Sequence, residues 1–217
     1  EMSTVQIVQR LVFSRARFQF AKLMKGYTPN KADLERIKKA SGEVAAAKLF
    51  IDDTAGISIN DLRAKARRKH RDEGISVIAV DYLQLMRSTT KQASNSRERE
   101  IAEISGGLKA LAKELSVPVI VLAQLNRGPE GRTGSALGVP RMSDLRESGS
   151  IEQDADMVGL LYRKVYYVDN QEERDEDDGE AELVLAKNRN GPTGAVPLTF
   201  IPDLMRFETR SFQPEPG

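Results

Sequence analysis

Several side chains stand at the ends of apolar runs and could together handle a phosphate. Val77 to Val80 is followed by Asp81, Val117 to Ala123 by Gln124, and Leu183 to Ala186 by Lys187 and then Arg189. A further run, Lys48 to Ile51, stops on Asp52 and Asp53. Magnesium takes oxygen ligands and keeps several of its waters, so one aspartate can suffice to hold it. A carboxamide can hydrogen-bond a terminal phosphate, and two cations can stabilise charge on a transferring phosphoryl group. Each feature alone stays open. Asp81 also reads as a cap or turn residue, and Lys187 and Arg189 as two exposed cations beside a hairpin.

These residues meet only if the runs before them are strands of one sheet. The pattern predicts that arrangement. Ser3 and Gln6 form a capping box ahead of an apolar-periodic helix over Val5 to Met24, and Asn30 caps a second helix reaching about Lys48. Lys48 to Asp53 reads as a buried strand, and Ser58 or Asn60 starts a third helix that ends at Glu73 on Gly74. Strands follow at 75–81 and 117–124, separated by a polar loop at 87–97 and a helix from about Arg97 to Leu115. Residues 126–143, rich in Gly, Arg and Pro, read as a mobile surface loop. The runs 156–163, 181–188 and 195–201 are three more strands, the last two joined by the hairpin signal Asn188 to Gly194.

The early strands are continuously apolar, which indicates a parallel sheet covered on both faces. The expected architecture is an α/β fold, an αβα sandwich with a mostly parallel sheet and an antiparallel edge extension, in one domain over 1–217. Ligands of such sheets bind beyond the carboxyl ends of the strands, where Asp81, Gln124, Lys187 and Arg189 lie.

Composition narrows the chemistry. The 217 residues are 40% hydrophobic and 30% charged, which fits a globular class. With no cysteine and one histidine, disulfides, thiolate-bound zinc and multi-histidine metal sites are ruled out of the chain. No apolar run approaches the ~20 residues of a membrane span. A net charge of +1 says nothing about nucleic acid. The basic run of Arg63, Lys65, Arg67, Arg68, Lys69 and Arg71 reads as an outer helix face, and the acidic stretch 172–180 as an exposed loop.

The runs "VIAVDYLQLM", "LKALAKELSVPVIVLAQLNR", "PRMSDLRESGSIEQDADMVGLLYR" and "AKNRNGPTGAVPLTF" occur in this order. Together they resemble the motor domain of the DnaB-type replicative DNA helicase, a hexameric ring with a RecA-like fold. The likeness extends from Glu1 to about Phe207, and "DLRESGSIEQDAD" is its most specific stretch. The resemblance implies an ATP-hydrolysing, cytoplasmic enzyme that works with Mg2+ on single-stranded DNA. It also implies contacts of the full-length protein with primase and a helicase loader, and no membrane. Asp81 then looks like the Walker B ligand of Mg2+ and Gln124 like the γ-phosphate sensor. Glu1 matches the glutamate that polarises the attacking water, and Arg10 falls among the nucleotide-binding positions. Lys187 and Arg189 match a Lys-x-Arg pair that reaches into the neighbouring subunit's ATP site. Two loops would line the DNA channel: 87–99, with Arg97 and Arg99, and 141–150, with Arg146, Glu147 and Gly149. Neither contains an aromatic residue, so base stacking is not indicated.

One departure matters. A phosphate loop of the form G-x-x-x-x-G-K-[ST] is missing, and Gly106-Gly107-Leu108-Lys109 is not followed by Ser or Thr. The expectation is a piece of a longer polypeptide, lacking the first strand, the phosphate loop and the first helix, that alone neither binds ATP tightly nor unwinds DNA. Two other readings stand beside the helicase: a RecA-type recombination or repair ATPase, and a non-catalytic motor remnant that serves as a docking module.

Overall fold

A computed structural model describes residues 2–88, 96–126, 128–132, 137–145, 149–168 and 177–210. The elements in chain order are α1 Thr4–Arg15, α2 Phe20–Met24, α3 Lys31–Ala46, α4 Ile59–Glu73, β1 Ile78–Val80, α5 Arg97–Leu115, β2 Val119–Val121, α6 Gly149–Asp154, β3 Met157–Tyr162, β4 Glu180–Asn188, β5 Gly194–Ile201 and β6 Arg206–Thr209. The described residues form two compact units, one drawn from 1–53, 168–182 and 196–217, and the other from 54–167 and 183–195.

In the second unit, β1 and β2 pair in parallel with Val80 opposite Val121. Helix α5 covers one face of this pair. Its apolar positions Ile101, Ile104, Leu108 and Leu111 recur at helical spacing and are buried. Ile101, Ile104 and Leu108 pack with Ile59 of α4, Val80, Leu83 and Met86. Burying a side chain of this size contributes about 1.5–3 kcal/mol, so this cluster fixes the strand ends that carry Asp81 and Gln124. α5 ends at Ser116, whose φ of 54° turns the chain into Val117 and Pro118. α4 is capped by Ser58, whose hydroxyl accepts the Asp61 N–H, and stops at left-handed Gly74. Of its basic residues, Arg67, Arg68 and Arg71 are exposed and Arg63 is half-buried against α5: Arg63 and Arg67 pair with Glu114 of α5, and Lys69 with Glu73.

The opposite faces of the strands in this unit are apolar and exposed, at Ala79 of β1 with Val77 before it, Ile120 of β2 with Leu122 after it, and Met157 and Leu161 of β3. β3 to β6 form a four-stranded sheet in that order, with β5 and β6 antiparallel and Phe200 opposite Phe207. The β4–β5 turn is closed by Asn188, whose Nδ2 donates to the Pro192 carbonyl at 3.0 Å.

In the first unit, Ala16, Phe18 and Ala40 are buried among Val12, Phe13, Leu23 and Ile37. Capping boxes start α1 at Ser3 with Gln6 and α3 at Asn30 with Asp33.

Four expectations are corrected here. The helix expected over Val5 to Met24 breaks after Arg15. The Phe18 N–H donates to the Phe13 carbonyl and the Arg17 N–H to that of Ser14, closing a Schellman motif with Arg17 at φ 50° where glycine is usual. The Phe13 and Phe18 rings, 5.9 Å apart, supply its apolar contact and offset the strain at Arg17. Residues 48–53 are not a strand, and Leu49 and Phe50 are exposed; among the described residues no strand lies alongside to complete their hydrogen bonds. The sequence pattern missed β6. Finally, the described part of 126–143 is a tied loop. Arg132 grips Asp144 with two nitrogens at 2.7 and 2.8 Å, and Pro129, Gly138 and Pro140 are buried.

Candidate functional site

Asp81 and Gln124 emerge together from the carboxyl ends of β1 and β2. Beyond the paired residues the backbones stay joined: the Leu122 N–H donates to the Val80 carbonyl and the Leu83 N–H to the Leu122 carbonyl, both at 2.9 Å. Among the described residues, neither the Asp81 carboxylate nor the Gln124 carboxamide has a hydrogen-bond or ion-pair partner, and both residues are exposed. A free carboxylate at a strand mouth is the donor that magnesium requires when phosphates and water fill its other positions. No group of three acidic or histidine side chains that could cage a metal by itself occurs among the described residues.

The backbone of Gln124 is held. Gln84 lies in the short 3-10 turn Leu83–Leu85. Its Nε2 donates to the Gln124 carbonyl at 3.1 Å, and its Oε1 accepts the Gln124 N–H at 3.2 Å. Arg97 Nη2 donates to the Gln84 carbonyl at 2.6 Å, and Arg97 also pairs with Glu100. The Ser88 N–H beside it holds the Glu100 carboxyl below its usual range, despite the opposing effect of burial. Arg97 and Arg99 are therefore residues of α5 and not of a loop. Arg97 is half-buried and engaged, whereas Arg99 is exposed.

Lys187 and Arg189 converge on α6. Lys187 Nζ donates to the Glu152 carbonyl at 2.5 Å, and Arg189 Nη2 to the Gln153 carbonyl at 3.3 Å. These are carbonyls of the helix's last turn, which carry partial negative charge and attract cations. Arg189 Nη1 reaches Asp156 Oδ1 at 3.0 Å, while Lys109 of α5 takes the other oxygen. The Lys109 hydrogen bond first, then the charges of Lys109 and Arg189, hold the Asp156 carboxyl below its usual range. Ser105 Oγ donates to Asp154 at 2.7 Å, fixing the end of α6 to α5. Half the Arg189 and Asp156 side-chain surface is open to solvent. Screening there keeps the pair weak, so it orients the guanidinium more than it stabilises the fold.

The other expected positions are placed as follows. Arg10 is exposed on α1, in the other unit. Gly149 is the first residue of α6, and among the described residues nothing lies within 4 Å of where its Cβ would stand. Glu1, Arg146 and Glu147 lie outside the described residues. Asp53 does not end a strand. It accepts the backbone N–H and hydroxyl of Thr4 at 2.9 and 3.0 Å, which holds its carboxyl below the usual range and caps the start of α1. The sequence pattern overlooked Gln84, Lys109 and Asp156. The one available signal for Gln84 was a polar residue inside the apolar run "YLQLM".

The chain matches the family described as DnaB-like helicase C terminal domain over residues 1–209. It is 43% identical over 208 residues to the replicative DNA helicase DnaB of Geobacillus stearothermophilus, covering 95% of this chain and 44% of that protein. It is 46% identical over 217 residues to the replicative DNA helicase DnaB of Haemophilus influenzae, covering 99% and 44%. Among solved structures it resembles an ATPase domain, with a TM-score of 0.85 and 35% identity over 97% of this chain and 72% of that one. It also resembles a DnaB-like replicative helicase studied with primase, with a TM-score of 0.83 and 36% identity over 95% of this chain and 49% of that one. The chain thus spans less than half the length of these curated relatives. It has the RecA-like α/β fold of its structural neighbours, and it belongs to the DnaB-like helicase C-terminal domain family.

Proposed function

We propose that this chain is the motor part of a ring-forming, ATP-driven replicative DNA helicase that translocates on single-stranded DNA and unwinds duplex at the replication fork. The observation that carries the reading is the placement of two free side chains beyond the carboxyl ends of adjacent parallel strands, Asp81 directly after β1 and Gln124 shortly after β2. ATP with Mg2+ supplies the phosphoryl group to be transferred. Asp81 holds the metal through water, and Gln124 hydrogen-bonds the γ-phosphate. Glu1 polarises the attacking water, and Arg10 contacts the nucleotide. Lys187 and Arg189 act on the ATP of the neighbouring subunit, where a guanidinium stabilises the charge of the transition state.

The exposed apolar face at Val77, Ile120, Leu122, Met157 and Leu161 is of the kind that a further layer covers in a RecA-like sheet. On the DNA side, Arg99 and Arg146 hold phosphates with their guanidinium groups and Glu147 and Gly149 with backbone N–H groups, none of which reads sequence, and Arg97 joins them through α5. The hexamer works in the cytoplasm with primase and a loader. The solved relative studied with primase supports that partnership, and no described helix is long and apolar enough to cross a membrane.

The test is ATP hydrolysis and forked-duplex unwinding by the full-length protein. Turnover is expected to require Mg2+ and to rise with single-stranded DNA, and Asp81→Asn should lower it by about a hundredfold or more. Turnover without unwinding would point instead to a strand-pairing ATPase. No turnover at all would leave a docking module.

A further inference from the structure

Gln84 makes an uncommon contact. One carboxamide spans both backbone polar groups of a single residue, donating to the Gln124 carbonyl and accepting the Gln124 N–H. It does for residue 124 what a neighbouring strand would do, at a point beyond the end of β2. The clamp's own carbonyl is anchored by Arg97, the first residue of α5. Asp81, three residues before Gln84, leaves the same strand end. Gln124, Gln84 and Arg97 therefore form one hydrogen-bonded chain from the segment after β2, through the turn after β1, to the first residue of α5.

We infer that Gln84 is the positioning residue for Gln124 and the link by which a shift of Gln124 reaches Arg97 and the first turn of α5. Its carboxamide fixes the Gln124 backbone relative to the 83–85 turn, so that the free Gln124 side chain is presented to a phosphate in a set direction. When Gln124 moves toward a nucleotide, both hydrogen bonds drag the 83–85 turn with it. The Arg97 guanidinium follows because it is bonded to that turn and not to Gln124. This inference rests on the reading of Gln124 as the phosphate-sensing side chain.

The experiment compares Gln84→Ala, Gln84→Glu and Gln124→Ala in the full-length protein, with steady-state ATP turnover measured against ATP and single-stranded DNA. Gln84→Ala is expected to lower DNA-stimulated kcat by about tenfold, the loss of two directed hydrogen bonds, while KM for ATP stays within about twofold. Gln84→Glu keeps the size of the side chain but sets an oxygen against the Gln124 carbonyl, so it should show the same split and guards against a folding defect in the alanine variant. In the Gln124→Ala background, Gln84→Ala should add nothing, since there is no longer a side chain to position. A purely structural Gln84 would instead lower kcat and thermal stability in both backgrounds, and that result overturns the inference. If Gln124→Ala lowers turnover while both Gln84 variants behave as wild type, the clamp is refuted and the sensor reading stands. If Gln124→Ala turns over normally, the sensor reading itself fails.

Discussion

Asp156 and Arg189 are joined twice. Arg189 Nη1 donates to the Asp156 carboxylate at 3.0 Å, and the Arg189 backbone N–H donates to the Asp156 carbonyl at 2.8 Å. The carboxylate's other oxygen belongs to Lys109. The guanidinium is thus aimed by a residue 33 positions earlier, which is itself pinned to α5.

Replacing Asp156 by Asn keeps the backbone bond and removes the charge that aligns Arg189. ATP turnover of the full-length protein should fall about fivefold, less than on loss of Arg189 itself, because misaligned catalytic groups lose rate without abolishing it. Ring assembly, followed by size-exclusion chromatography with light scattering, should be unchanged. Normal turnover would show that this pair does not position Arg189.

Glu114 gives the clearest pH dependence. The Arg67 hydrogen bond, with Arg63 beside it, lowers its pKa to about 2 against an ordinary 4.5. The folded value lies below the unfolded one, so the stabilisation is fully present above about pH 4.5. It drains away as pH falls toward 2. Glu114→Gln should therefore flatten the loss of thermal stability between pH 5 and 2 relative to wild type. A parallel pair of curves would contradict the assignment.

Two adjacent glycines of α5 should respond in opposite directions. A Cβ on Gly106 meets nothing within 4 Å, whereas one on Gly107 would overlap Ile59 Cγ1. Gly106→Ala should stabilise by about 0.5–1 kcal/mol through helix propensity. Gly107→Ala should destabilise by about 1–3 kcal/mol, because buried Ile59 cannot yield. Urea denaturation of the two variants measures both.

Asp144 is buried and takes Arg132 on both oxygens and the Arg141 N–H on one. Arg132 holds its carboxyl below the usual range. Asp144→Ala should cost about 2 kcal/mol, the loss of a charge-assisted hydrogen-bond set, in a chemical denaturation experiment.

The helix starts at Ser3, Asn30 and Ser58 and the stop at Gly74 were legible because a cap is a local transaction between residues three or four apart. Asp81, Gln124, Lys187 and Arg189 were legible as strand ends for a similar reason, since each follows an apolar run whose length marks a strand. Residues 48–53 misled because strand formation depends on a neighbour that no local pattern announces. Arg17 hid a helix break since its left-handed turn is held by the Phe13–Phe18 contact and not by a glycine. Gln84 and Asp156 escaped because their roles rest on partners 40 and 33 residues away, Gln124 and Arg189.

The central claim is that Asp81 of one subunit and Arg189 of its neighbour build a single ATP site. The direct test mixes two inactive full-length proteins, Asp81→Asn and Arg189→Ala, before ring assembly and measures ATP turnover. Each alone should turn over about a hundredfold more slowly than wild type. Mixed rings contain junctions at which an intact Asp81 faces an intact Arg189, so the mixture should regain a substantial fraction of wild-type turnover. A mixture as inactive as its components, or full activity of Arg189→Ala alone, would contradict the shared site.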